Sequence, residues 1–368
     1  MISEPIIPDY TGPCLSNIVP AILEHNVIGE GWMPAEILKA KQVVLLLIDG
    51  LGYEQFLKCE EKELVPNLAD FSKVRIQTVA PTTTATALTS LTTGKSPGEH
   101  GVVGYKIRVG NQVLNALRWT TGLGSAVNQI NPTTFQPITP FMDSNASVIS
   151  PSEFKDSGFS EAHLRGGDYS GYWLPSSIPL LIRDSLNAGS KFVYAYYDGL
   201  DKVGHIHGIN EFYDSEICYI NDLIGRTVSA LPEGAALIVT ADHGMVDVGD
   251  SLVTLDAKID DLSEELSGEA RFLWIHAKRG AKSELVEALE DLYSATAWIR
   301  TSEQVLDEGW FGMQMSASAL NRIGDVALVA REPIAFVPQG KPGPDLKARH
   351  GSLTTAESYV PLMTMIKS

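Results

Sequence analysis

Three short apolar runs, each followed by an aspartate, constrain the fold of this chain more than any other feature. The runs and their aspartates are 43–48 with Asp49, 192–197 with Asp198, and 236–241 with Asp242. Uninterrupted apolar runs of this length are typical of strands buried on both faces, as in a parallel sheet. Helical patterns lie between them, for example at 178–185 and 213–231. The chain is therefore predicted to be an α/β protein with a central, mostly parallel sheet sandwiched by helices.

The length and the changes of pattern predict two units. Domains usually run to roughly 100–200 residues, and the chain has 368. We expect a catalytic α/β core from 1–251 and 336–368, and a smaller α+β lobe inserted at 252–335. The lobe is indicated by apolar strand patterns at 271–276 and 325–331 and a helical pattern at 282–293. Within the core, 102–175 is rich in Gly, Asn, Thr and Pro, which predicts a loop-rich edge over the active site.

Composition excludes several classes of function. A net charge of −17 would repel a polyanion, so we expect no binding to long nucleic acid. A small anionic substrate stays compatible, because bound dications would reverse the sign locally. No apolar stretch approaches the roughly 20 residues of a membrane span, and the first residues do not resemble a signal peptide. We therefore expect a cytoplasmic protein without a membrane partner, and we leave open whether it forms a homo-oligomer. The three cysteines lack paired spacing and are expected to be small buried residues.

Six residues of the types that bind zinc follow the predicted strands or lie in short motifs. They are Asp49, Asp201, His205, Asp242, His243 and His350. Ligands of open α/β sheets collect beyond the carboxyl ends of the strands, where Asp49 and Asp242 fall. Asp201 and His205 are four residues apart, so both side chains can face the same side of a helical turn and share one metal ion.

Several of these residues also have an ordinary structural interpretation. Asp49 precedes a glycine and fits a turn aspartate, and a loop histidine such as His350 is usually solvated. Asp242 and His243 favour function, because a carboxylate beside an imidazole at the end of a core strand is hard to justify by packing. For the other histidines we keep a structural interpretation: His25, His163 and His276 as solvated residues, and His207 as a residue at the surface or behind the ligands.

A threonine-rich segment at 81–94 begins with a turn, continues as a helix and ends at Gly94. A hydroxyl at a helix N-terminus meets free backbone N–H groups and the positive end of the helix dipole, which stabilise an alkoxide and a bound phosphate. The alternative is that the threonines only supply a helix cap, which accounts for one of them. With six metal ligands, three on each of two ions, such a hydroxyl would be activated for phosphoryl transfer. The mixed imidazole and carboxylate ligands favour zinc, with manganese as the alternative.

The order of these motifs resembles the nucleotide pyrophosphatase/phosphodiesterase (type I phosphodiesterase) family of the alkaline phosphatase superfamily. The resemblance covers 43–101, 192–209, 235–246 and 348–352, and it implies an alkaline phosphatase-like core. It also implies a structural role for His100, which follows the nucleophile helix. The site it implies has Thr84 as a nucleophile bridging two ions, one held by Asp201, His205 and His350 and the other by Asp49, Asp242 and His243.

Two positions depart from the family pattern. Ala85 stands where nucleotide-cleaving members carry an aromatic residue against the base, and Ala87 where they carry an asparagine that binds the phosphoryl oxygen. The resemblance therefore implies hydrolysis of phosphodiester or pyrophosphate bonds in a small phosphorylated substrate, and leaves nucleotide specificity open. The alternatives are a phosphonoacetate hydrolase-like enzyme that cleaves a C–P bond, a phosphomonoesterase, and an inactive metal-binding scaffold. The scaffold is disfavoured because the chain retains Thr84 and all six ligands.

Overall fold

The computed structural model describes residues 4–24, 31–340 and 343–368 of the protein. Over these ranges the strands are β1 (Val43–Ile48), β2 (Ser72–Gln77), β3 (Lys106–Val109), β4 (Gln112–Asn115), β5 (Thr120–Thr121), β6 (Gly124–Ser125), β7 (Ser147–Pro151), β8 (Asp168–Tyr172), β9 (Phe192–Tyr197), β10 (Ala236–Thr240), β11 (Val246–Asp247), β12 (Leu252–Thr254), β13 (Ser263–Glu269), β14 (Phe272–Ala277), β15 (Ala297–Thr301), β16 (Val326–Ala330), β17 (Ala335–Val337), β18 (Ala348–Arg349) and β19 (Tyr359–Ile366).

The α-helices alternate with these strands along much of the chain. They are α1 (Ile18–Leu23), α2 (Ala35–Leu38), α3 (Tyr53–Glu61), α4 (Thr84–Thr93), α5 (Pro97–His100), α6 (Pro132–Phe135), α7 (Gly158–Leu164), α8 (Ile178–Asn187), α9 (Gly199–His207), α10 (Glu211–Ala230), α11 (Ala257–Leu262), α12 (Lys282–Tyr293), α13 (Ser302–Asp307), α14 (Ala317–Leu320) and α15 (Thr355–Ser358).

The central sheet has seven strands in the order β2-β19-β10-β1-β9-β7-β8. Strands β10, β1, β9, β7 and β8 run parallel, and β19 runs antiparallel to both of its neighbours. Every residue of β1, β9 and β10 is buried, as their apolar sequences predict. Helices flank the sheet, so the predicted α/β fold is confirmed. Because β10, β1 and β9 are adjacent and parallel, the residues that follow them meet at one edge.

The region 102–175 contains more regular structure than its sequence indicates. Strands β7 and β8 extend the central sheet, and β3 to β6 form a separate four-stranded antiparallel sheet. The prediction of loops was therefore wrong for these segments. The physical reason is that β8 is an edge strand with only one buried residue, so its sequence, Asp168–Tyr172, carries no apolar run.

The small lobe contains an antiparallel sheet in the order β13-β14-β16-β15. Alternate residues of its strands face opposite sides. On β14, Leu273 and Ile275 join the core of the lobe, whereas Phe272 and Trp274 join an aromatic cluster that includes Ala80 and Leu353. The lobe thus packs against the segment that leads into α4. The division of the chain at 252–335 stays a prediction.

Cysteine placement differs in one respect from the expectation. Cys14 and Cys59 are buried, but Cys218 is exposed because it lies on the outer face of the long helix α10. In the part of the chain that the structure describes, no helix is long and apolar enough to cross a membrane.

Candidate metal centre

Two buried aspartates lie at the carboxyl ends of adjacent strands. Asp49 follows β1 and Asp242 follows β10, and both are almost completely inaccessible to solvent. The backbone N–H groups of Gly50 and His243 donate to Asp242 Oδ1 over 3.2 and 3.0 Å, and the Tyr196 hydroxyl donates to Asp49 Oδ2. Each carboxylate is therefore oriented through one oxygen while the other is left available. Gly50 makes this turn with φ +80°, a conformation that favours glycine.

Helix α9 carries the predicted pair of ligands on one side. Asp201 Oδ2 and His205 Nε2 are 3.3 Å apart, as expected for residues four positions apart on a helix. The helix begins directly after β9, so this pair lies at the same edge of the sheet as Asp49. A Cβ added to Gly50 would lie 3.1 Å from the Asp201 Cα, which gives the turn after β1 a second reason for glycine.

His350 reaches the centre through a pairing between distant segments. The backbone of Thr82 pairs with that of Gly351, and the Gly351 N–H also donates to Thr82 Oγ1 over 3.0 Å. The His350 ring stacks on His243 with 3.7 Å between ring centroids. This pairing joins Thr82, two residues before α4, to His350, 268 positions further along the chain.

All three imidazoles present the same nitrogen to the centre. The Nδ1 atoms lie against backbone carbonyl oxygens: Gly244 at 3.1 Å from His243, Ala348 at 2.8 Å from His205, and Thr82 at 2.9 Å from His350. A carbonyl can only accept, so each Nδ1 carries the proton and donates it. Each Nε2 therefore has a free lone pair, and this is how proteins orient histidines that bind metals.

The unpaired atoms of this centre are suited to a bound cation. Among the described residues, Asp49 Oδ1, Asp201 Oδ1 and Asp242 Oδ2 are buried without a hydrogen-bond partner. His243 Nε2 is 3.4 Å from both Asp49 Oδ1 and Asp242 Oδ2. Donors bound about 2.0–2.1 Å from a tetrahedral zinc lie roughly 3.3 Å apart, so the spacing suits such an ion.

The available atoms form two overlapping groups of three. Asp49, Asp242 and His243 form one group, and Asp201, His243 and His350 the other, with the candidate atoms of each group within 4.8 Å of one another. The first group is the set that the sequence predicts for one ion. His205 adjoins the second group through Asp201. Which residue binds which ion stays a prediction.

The electrostatics of the centre favour neutral groups until a cation balances them. Burial raises the pKa of Asp49, and repulsion from Asp242 and Asp201 raises it further. Burial also raises the pKa values of Asp201 and Asp242, and it lowers those of His243 and His350. A bound dication would restore the ionised carboxylates and would need the neutral imidazoles.

Thr84 is the first residue of α4 and lies beside the candidate ligands. Its Oγ1 is 3.2 Å from His243 Nε2. The Thr83 side chain makes no capping hydrogen bond to the helix, so the threonines are not explained as caps. Further along α4, Thr89, Thr92 and Thr93 donate to carbonyls one turn earlier, which explains how a buried helix accommodates them.

The remaining described histidines lie outside the ligand groups. His100 is buried, accepts from the Val102 N–H and hydrogen-bonds to Ser90, in line with a structural role. His163 and His276 are buried rather than solvated, contrary to expectation, and hydrogen-bond to Phe159 and Ser267, respectively. His207 is at the surface, stacked on Phe212. His25 lies outside the described residues.

The two positions that depart from the family pattern carry no polar side chain. Ala85 and Ala87 are fully buried and offer no side-chain hydrogen bond. Arg165, at the C-terminal end of α7, donates to the carbonyls of Ala162 and Ile138. Two contributors that the sequence did not reveal are Tyr196, which orients Asp49, and Glu269 of the small lobe, which lies 3.8 Å from His350 Nδ1.

A cluster of carboxylates and imidazoles around a hydroxyl at a helix N-terminus is typical of metal-dependent hydrolases. The model of the type I phosphodiesterase/nucleotide pyrophosphatase family matches residues 43–353, and the chain belongs to this family. It is an enzyme of the phosphodiesterase/pyrophosphatase type within the alkaline phosphatase superfamily, as the motif order predicts. A search of curated proteins finds no match.

Solved structures share the fold at low sequence identity. Murine ectonucleotide pyrophosphatase/phosphodiesterase 5 is 18% identical with a TM-score of 0.65, and the match covers 88% of this chain and 87% of that chain. The human protein of the same name is 19% identical with a TM-score of 0.63 and the same coverage. Phosphonoacetate hydrolase from Sinorhizobium meliloti is 14% identical with a TM-score of 0.66, covering 88% of this chain and 90% of that one.

Proposed function

We propose that the protein hydrolyses phosphodiester or pyrophosphate bonds of a small substrate, with Thr84 as the nucleophile and two divalent ions, zinc first among them. The observation that carries this proposal is the position of Thr84 Oγ1, 3.2 Å from His243 Nε2 and at the N-terminus of a buried helix. When bound, the two ions would lower the pKa of the attacking hydroxyl and neutralise charge on the leaving oxygen.

The residues of the chain orient the reacting groups. Asp49, Asp242 and His243 would hold one ion, and Asp201, His205 and His350 the other, in the assignment that the family resemblance implies. The backbone N–H groups of the first turn of α4 face the same region as the Thr84 hydroxyl, and such groups bind phosphoryl oxygens. Because α4 is buried along its whole length, the position of the hydroxyl is fixed before the substrate arrives.

A diester suits this centre better than a monoester. A monoester is a dianion, and enzymes that bind it usually add an arginine or a third cation. The segment 81–90 contains no Arg or Lys, and Arg165 is engaged with carbonyls elsewhere. A diester carries one charge, which two ions and a helix N-terminus can balance. One of the murine structures is an inactive variant in complex with AMP, which supports a nucleotide among the substrates to test.

The test is a hydrolysis screen of zinc-reconstituted protein and its Thr84→Ala variant. We expect turnover with bis-p-nitrophenyl phosphate or a dinucleotide, and loss of nearly all of it in the variant with zinc content retained. Thr92→Val is the matched control, since it removes a buried hydroxyl further along α4. Near wild-type turnover in Thr84→Ala would rule out this nucleophile. The control should keep wild-type turnover.

The substrate class is tested separately by comparing kcat/KM for bis-p-nitrophenyl phosphate and p-nitrophenyl phosphate at equal pH and zinc. We expect the diester to be preferred. A preference for the monoester would contradict the phosphodiesterase proposal, and release of phosphate from phosphonoacetate alone would favour C–P cleavage.

A further inference from the structure

A carboxyl group of the small lobe lies beside the candidate metal centre. Glu269 is the last residue of β13, where a tight turn connects to β14. Its side chain is 13% exposed, and its Oε1 atom is buried without a hydrogen-bond partner among the described residues. Burying a carboxyl group with an unsatisfied oxygen costs free energy, so an apolar residue would serve better if the position were only structural.

Three segments of the centre meet at this carboxyl group. Glu269 Oε2 lies 3.8 Å from His350 Nδ1, a distance of electrostatic contact rather than of a hydrogen bond. The Thr83 side chain lies beside the same carboxyl group. Gly351 packs against it so closely that an added Cβ would lie 2.6 Å from the Glu269 Cδ atom. Thr83 directly precedes Thr84, so the carboxyl group lies between the nucleophile helix and the late histidine.

The lobe does not need Glu269 to hold its position. Arg271, two residues further, forms a fully buried bidentate pair with Glu357 over 2.8 and 2.7 Å. Glu357 Oε1 also accepts from the Ser352 N–H over 3.0 Å, which ties the lobe to the loop that carries His350. The aromatic cluster around Phe272 adds apolar contact with the core. The docking of the lobe is thus provided by other residues.

We infer that Glu269 is a positioning residue of the catalytic centre, which orients His350 and the start of the nucleophile helix from the small lobe. This inference deepens the proposed function and rests on it for the identity of the nucleophile. Since the His350 Nδ1–H is donated to the Thr82 carbonyl, Glu269 acts by packing beside the ring and Gly351 rather than by accepting that proton. The lobe is then part of the active site rather than an appended unit.

The test uses the full chain with Glu269→Ala and Glu269→Gln, and Glu265→Ala as the matched control at an exposed position of the same strand. Zinc affinity is measured by chelator competition, and kcat and KM by hydrolysis of a diester. In Glu269→Ala we expect one of the two zinc affinities and kcat to fall by roughly 10–100-fold, with KM and the melting temperature little changed. Glu269→Gln keeps the shape and the contact with Thr83, and should recover most of both.

The two readouts separate this inference from the proposed function. If the wild-type protein binds two zinc ions but cleaves no diester, the proposed function fails while the zinc affinities still test Glu269. Unchanged zinc affinity and unchanged kcat in Glu269→Ala would overturn the inference. A fall of the melting temperature in Glu269→Ala that Glu269→Gln does not restore, without a selective loss at one zinc site, would also overturn it and indicate a purely structural carboxyl group.

Discussion

The two halves of the candidate metal centre differ in how far they are enclosed. The enclosed half is Asp49, Asp242 and His243, whose side chains are 3%, 0% and 0% exposed. The open half is Asp201, His205 and His350, whose side chains are 14%, 21% and 9% exposed. The enclosed half lies at the ends of two central strands. The open half is built from a helix, α9, and a loop near the C-terminus.

The difference shows which half is preorganised by the core and which depends on later parts of the fold. Asp49 and Asp242 are oriented by the Tyr196 hydroxyl and by backbone N–H groups of strand-end residues. In the open half, His205 and His350 are oriented by the carbonyls of Ala348 and Thr82, which come from distant segments. We therefore expect an ion in the enclosed half to be bound more tightly and released more slowly.

We expect the largest effect from substitutions that remove one candidate ligand from each half. Asp242→Asn and Asp201→Asn preserve side-chain shape, and each should leave one zinc ion bound instead of two, with a loss of turnover of about 100-fold or more. Asp201→Asn should keep the ion of the enclosed half, and Asp242→Asn should keep the ion of the open half. Removing the first ion should need a higher chelator concentration than removing the second. Zinc content after graded chelator treatment provides the measurement.

Asp250→Asn is the control for these ligand variants, because the Asp250 side chain is 95% exposed and lies outside both halves. It should bind two ions and keep wild-type turnover. If the remaining ions of the two ligand variants are lost at the same chelator concentration, the two halves do not differ in affinity and the comparison fails. If the wild-type protein binds only one zinc ion, the centre is not a two-ion site.

The sequence predicted the two halves by different routes. For Asp49 and Asp242, continuous apolar strands followed by aspartates predicted the position, because the carboxyl ends of parallel strands meet at one edge. For Asp201 and His205, the spacing on a helix was sufficient. His350 was included for its residue type and for the family resemblance, although a histidine in a loop is usually solvated. The position of His350 in the centre depends on the pairing of Thr82 with Gly351, and no local sequence pattern predicts a contact between residues so far apart in the chain.

The residues that orient the ligands were missed for a related reason. Tyr196 is one apolar residue of a buried strand, and its sequence does not reveal that the hydroxyl reaches Asp49. Glu269 lies in another unit of the chain, and its approach to His350 depends on how the lobe packs. Strands β7 and β8 were missed because short strands at or near the sheet edge need no long apolar run. Tertiary packing, rather than local propensity, decides such positions.

A smaller effect is expected from the orientation of Asp49. Tyr196→Phe removes the hydroxyl that donates to Asp49 Oδ2, and zinc affinity of the enclosed half should fall by roughly 10-fold. The open half should be unaffected. Tyr169→Phe is the matched control, since its hydroxyl donates to the Pro151 carbonyl at the far edge of the same sheet. Equal zinc affinities in wild type and Tyr196→Phe would show that the backbone alone orients the enclosed half.

The smallest effect concerns the stability of the protein without bound metal. Burial and neighbouring carboxylates raise the pKa of Asp49 in the folded state. The stability that this group contributes is present below about pH 4, the ordinary pKa of an aspartate, and is lost as the pH rises through the folded-state value. Asp49→Asn removes the charge, so in chelator the variant should melt at a higher temperature than wild type at pH 8, by roughly 2 °C or more, and by less at pH 5.

The same substitution in the open half sharpens the comparison. The pKa of Asp201 is raised by burial and by Asp198, whereas the neighbouring His205 and Lys202 act in the opposite direction. Asp201→Asn should therefore stabilise the metal-free protein less than Asp49→Asn does, and the exposed control Asp261→Asn should have no effect. Added zinc should reverse the order, because the wild-type protein binds the ion and gains stability by mass action while Asp49→Asn lacks a ligand. Melting curves are recorded for each protein at pH 5 and pH 8, in each case with chelator or with zinc. If metal-free wild type and Asp49→Asn melt at the same temperature at both pH values, the buried carboxylates do not destabilise the metal-free protein. Enclosure would then not distinguish the two halves.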